Sequence, residues 1–179
     1  MILLDEDIKI AGDKPSKEIK MNKFPTQTAV HSATAMKAAK EWGRLVAAKF
    51  IEDAKSNSNA ENFDYEMIIQ RRLLLSFTAT IGFEQFCNDD TLSGIAQKSF
   101  IDAVRGYDND LYITLSDTGA FSFYYLAFRR GGDIERRMGQ TFAMLCSHDG
   151  DPIYQELGEV LYCWFLSIVK KTAITANVE

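Results

Sequence analysis

Residues 73–87 read LLLSFTATIGFEQFC. Wound on a helix at about 100° per residue, their apolar side chains point in every direction. Leu73, Leu74 and Leu75 alone cover three sides, and Ile81, Phe83 and Phe86 fill the gaps between them. A helix apolar all round has to be enclosed by other protein or by lipid. Length excludes lipid: Glu84 and Gln85 interrupt the run, and a bilayer needs roughly 20 apolar residues. The stretch therefore predicts the buried central helix, about 63–87, of an all-α domain.

Working outward, Glu61, Asp64 and Glu66 stand near the positive N-terminal end of that helix, and Asn88, Asp89 and Asp90 close it. Upstream, a threonine cap at Thr26 or Thr28, just after Pro25, predicts a first helix running to about Lys55. Met36, Ala39, Leu45, Val46, Phe50 and Ala54 form its stripe. The stretch SNSNAEN at 56–62 is a loop by composition. A third helix over about 91–105 carries Leu92, Ile95, Phe100, Ile101 and Val104.

Residues 106–130 support two readings. Leu111, Ile113 and Leu115, then Phe121, Phe123, Tyr125 and Ala127, alternate around SDTG and admit a β-hairpin. The punctuation favours two helices split near Asp117. Asp117 can cap a helix that aligns Phe121, Tyr124, Tyr125 and Phe128, closed by Arg129, Arg130 and Gly131 at the left-handed C′ position.

Asp133 caps the next predicted helix, about 134–147, and Asp151-Pro152 opens the last. In the last helix Ile153, Leu157, Leu161, Trp164 and Ile168 keep helical register, with Lys170 and Lys171 near its negative end. The whole reads as a single-domain irregular bundle of six or seven helices over 26–179. Residues 1–25, with five acids and five lysines, read as a flexible or extended tail.

The chain has 179 residues, 46% hydrophobic and 12% aromatic, enough for a core that needs no metal or disulfide. A net charge of −5 argues against nucleic acid, which demands a concentrated positive face. Neither MILLDEDIKI at the start nor Val160–Val169 is long enough to span a membrane. Cys87, Cys146 and Cys163 are odd in number and widely spaced, as buried thiols of a reducing, cytoplasmic compartment would be.

Candidate chemistry is sparse. The dipeptide His148-Asp149 resembles that of HD-type metal phosphohydrolases, but His31 is the only other histidine, too few for such a metal site. Glu156 and Glu159, with Glu61 and Asp64, form ExxE and ExxD pairs of the kind that hold Mg²⁺ against phosphate. Acids in first helical turns are equally explained by the helix dipole. The run from Asp89 mimics an EF-hand opening, yet its twelfth position is Phe100 where glutamate is required. No phosphate loop, dinucleotide fingerprint or nucleophile elbow occurs. We therefore expect no metal and no cofactor.

Two candidate ligand-binding features remain. Arg129, Arg130, Arg136 and Arg137 flank Gly131 and Gly132 ahead of a helix start, a pattern suited to a phosphate or carboxylate. Asp133 would compete for the same amides. Glu84, set in an apolar run, becomes a site clue if buried and paired.

The leading expectation is a non-catalytic interaction or regulatory protein that pairs with itself, as a homodimer, or with another protein. Ile2–Leu4, Tyr112, Tyr124, Tyr125 and Tyr162 are its candidate surface. The alternative is a helical protein that binds, or an enzyme that acts on, a small anionic or phosphorylated ligand.

Overall fold

The computed structural model describes residues 31–58, 65–115 and 118–178. They form seven helices: α1 (Ala33–Ser58), α2 (Tyr65–Phe86), α3 (Asp90–Tyr107), α4 (Asn109–Leu115), α5 (Thr118–Arg129), α6 (Ile134–Leu145) and α7 (Pro152–Ala176). No strand occurs among the described residues, so 106–130 resolves into helices rather than a hairpin. The tail, the proposed Thr26 and Thr28 caps, the Glu61/Asp64 pair and Asp117 lie outside the described residues.

α2 is the sheathed centre that its composition demands. Leu73 through Ala79, Ile81, Gly82 and Phe83 are all buried, and α2 touches each of the other six helices. Leu73, Leu74 and Leu75 are fully inaccessible although they point to three sides. Burying one such side chain is worth about 1.5–3 kcal/mol. Phe77 stacks on Tyr124 and meets Phe121 and Phe128 edge-on, which ties α5 to the centre. Arg71 forks onto Asp53 of α1, Nε to Oδ2 at 2.9 Å, so an ion pair joins α1 and α2.

Glycines set the closest helix crossings. Gly139 of α6 and Gly158 of α7 face each other: a Cβ on Gly158 would stand 2.6 Å from Phe142 Cβ and 2.9 Å from Gly139 Cα. A Cβ on Gly82 would meet Val169 of α7 at 2.7 Å, and one on Gly43 of α1 would meet Ser99 Cβ of α3 at 2.8 Å. Hydrogen bonds tie the same helices together. Trp42 Nε1 donates to the Val169 carbonyl at 3.0 Å, and Ser99 Oγ to the Lys40 carbonyl at 2.8 Å.

Several helix ends follow the expected chemistry. Asp89 accepts from Thr91 and Leu92 N–H, Asp133 from Arg136 N–H, and Asp151 from Ile153 N–H. Gly131 takes the left-handed turn after α5 at φ 64°. Two details differ. The first helix opens at Ala33, with Ser32 Oγ accepting from Ala35 N–H. α7 continues past Lys171 to Ala176, where Asn177 in the left-handed region closes it, so the lysines are not in its last turn.

Candidate functional site

α7 is held on its inner side by Gly158, Leu161, Tyr162, Phe165, Val169 and Ala173, all buried. Glycine at 158 lets it approach α6, and Val169 fills the notch at Gly82 of α2. This inner face is rotated from the stripe expected of Ile153, Leu157, Leu161, Trp164 and Ile168. Only Leu161 of those five is buried, while Ile153 and Trp164 are exposed. The reason is that α7 has two apolar faces, and close packing at its small residues selects the one that turns inward.

The other face is left open. Ile153 is 73% exposed, Val160 58%, Trp164 40% and Ile174 70%. At 100° per residue these four fall within about 80° of one another. Glu156 and Lys171 lie in the same band, and neither has an ion-pair partner among the described residues. A shorter apolar patch, Phe123 and Leu126, occupies the outside of α5.

The aromatic surface expected from sequence is therefore only partly present. Tyr125 is exposed, but Tyr124 and Tyr162 are core residues at 0% and 3% exposure. Tyr124 stacks against Phe77, and burial drives its phenol well above the ordinary value. Burial, with Cys163 and Glu135 nearby, pushes Tyr162 up to about 12. Ile2–Leu4 lie outside the described residues.

The four arginines separate. Arg130 and Arg137 line one cavity of about 260 Å³ between α5, α6 and the start of α7, with Asp149 on the same wall. Arg129 lies over the Tyr125 ring instead, 5.7 Å from its centre, and Arg136 is exposed. Asp133 occupies the α6 N-terminal amide of Arg136, which is the competition its position implied. Glu84 is exposed on the last turn of α2, so burial does not single it out. Arg71, on the same helix, is committed to Asp53.

The histidines and cysteines offer no assembled site. No group of three metal-ligating side chains occurs among the described residues. His31 meets Asp89 at 3.3 Å, and His148 stacks on Tyr154 at 3.8 Å. Cys87 and Cys146 are buried. Burial, followed by Glu135, raises the half-buried Cys163 thiol, which keeps it protonated and a poor nucleophile. Glu156 is exposed and Glu159 half-buried, the latter facing Cys163. No described helix is long and apolar enough to cross a membrane.

Comparison with protein-family models, curated proteins and solved structures finds no match to this chain.

Proposed function

We propose that this protein is a non-catalytic interaction or regulatory module that acts through the outer face of α7. One observation carries the reading: Ile153, Val160, Trp164 and Ile174 are held in a single band on a helix whose other side is already packed. A helix of 25 residues is about 37 Å long and some 10 Å wide. Four exposed apolar side chains along one side of it, interrupted by Glu156 and Lys171, make the mixed apolar and polar strip that a binding surface presents. Tryptophan is also a residue type enriched in binding hot spots.

A photo-crosslinking residue placed at Val160 or Ile174 in the producing cells tests it. Protein conjugates should form from both positions and not from exposed Asp102 on α3. No conjugate from either α7 position would end the reading.

A second reading, a protein that binds or acts on an anionic or phosphorylated ligand, has one observation in its favour. Arg130 and Arg137 share a cavity wall, and arginine forks suit phosphate oxygens. Asp149 beside them works against it. Calorimetry with inorganic pyrophosphate decides. Heat that disappears in Arg137→Gln supports this reading, and no heat at millimolar ligand removes it.

A further inference from the structure

The outer face of α7 is its own complement, and we propose that its occupant is the α7 of a second copy, packed antiparallel about a two-fold axis near Trp164. The inference rests on the interaction-module reading and names the partner.

The order of residues along the helix sets the pairing. Ile153 precedes Trp164 by 11 residues and Ile174 follows it by 10. Glu156 precedes it by eight and Lys171 follows it by seven. An antiparallel pairing centred there sets Ile153 against Ile174 of the second copy, and Glu156 against Lys171. Two-fold symmetry repeats each pair, as in any isologous interface. The two Trp164 rings meet at the middle, where binding energy concentrates.

The charges cannot satisfy each other within one copy. Glu156 and Lys171 are 15 residues apart, about 22 Å along the axis. A parallel pairing would set Glu156 beside Glu156 and Lys171 beside Lys171, which repel. Contact over the full band requires a shallow crossing near +20°, the angle of helices that pack along their length. The strip is narrow, so the dimer belongs with small, transient interfaces.

Sedimentation equilibrium of the full chain, from about 0.1 to about 100 µM, tests the proposal. The wild type should pass from the chain mass of 20.2 kDa to twice that mass. Val160→Glu should abolish the dimer, and at concentrations where the wild type is monomeric its helical circular dichroism and melting temperature should match those of the wild type. Glu156→Lys and Lys171→Glu should each weaken the dimer about tenfold, because each reverses two symmetry-related pairs. The double variant E156K/K171E should recover to within about threefold of wild type, since the reversed charges face each other again.

A wild type that remains monomeric throughout overturns the proposal. So does a dimer that survives Val160→Glu, or a double variant no better than the singles. Conjugates from position 160 to a different protein, or to residues 1–30 of the same chain, would also overturn it. A different protein conjugated there, with a monomeric wild type, leaves the module reading standing. No conjugates of any kind remove both.

Discussion

Tyr124 is counted by sequence among surface aromatics and lies in the core. It is inaccessible, stacked on Phe77, and its hydroxyl has no hydrogen-bond partner among the described residues. An unsatisfied buried polar group costs about 1–3 kcal/mol. Tyr124→Phe keeps the ring and removes the hydroxyl, so urea unfolding should find it more stable than wild type by about 1 kcal/mol. A loss of that size would mean the hydroxyl is bonded.

Tyr124 and Tyr162 also set an alkaline limit. Burial raises both phenols above their unfolded value of about 10, Tyr162 to about 12. The folded state therefore holds protons that the unfolded state releases. The stability linked to these groups is complete below pH 10 and falls as pH rises from 10 toward 12. Phenolate absorbance should still be incomplete at about pH 11 while the helices are intact, because Tyr124 and Tyr162 keep their protons. Ionisation of all seven at pH 10 with the helices intact would contradict their burial.

At the level of the element, glycines divide into those that hold helices together and those that do not. A Cβ at Gly139 would press into the Gln155 carbonyl and stand 2.8 Å from Glu159 Cγ. The carbonyl is backbone and cannot swing away, so Gly139→Ala should lose about 1–3 kcal/mol, the cost of overpacking. Gly94 on α3 has nothing within 4 Å of a built Cβ. Gly94→Ala should gain about 0.5–1 kcal/mol from helix propensity alone. Thermal unfolding of the two variants checks both signs.

Local chemistry made three helix ends readable: Asp133 and Asp151 as caps, the latter with Pro152 in the first turn, and Gly131 in the left-handed turn. The centrality of α2 was equally legible, because three consecutive leucines cannot all face water. The orientation of α7 was not. Leu161, Phe165 and Val169 on one side and Ile153, Val160 and Trp164 on the other satisfy the same period, and period alone does not say which is packed. The choice depends on Gly158 of α7 meeting Gly139 of α6 and on Val169 meeting Gly82 of α2, so it takes residues of other helices as well. Counting apolar residues on both sides of α7 would have revealed that one face is surplus. Trp42 belongs to the buried face of α1 as well, three residues after Ala39 and fully buried, although the stripe read from sequence does not include it.

For the whole molecule, enclosing α2 within six helices commits the polar side chains nearest the packing to structure. Asp53 serves Arg71, and Asp89, Asp133 and Asp151 serve helix ends. Among the apolar side chains that remain outward, those on α7 line up along one side of a long helix, with its acid toward one end and its lysine toward the other.

The two tryptophans report on opposite sides of this arrangement. Trp42 is sealed in the core with its N–H on Val169, whereas Trp164 is 40% exposed in the band. Acrylamide quenching of tryptophan emission across dilution from about 100 to about 0.1 µM therefore reads the covering of that face. Quenching should be low at high concentration and rise on dilution as emission moves to the red, and Trp164→Phe should remove the change. Quenching and emission that stay constant over the whole range would contradict the account.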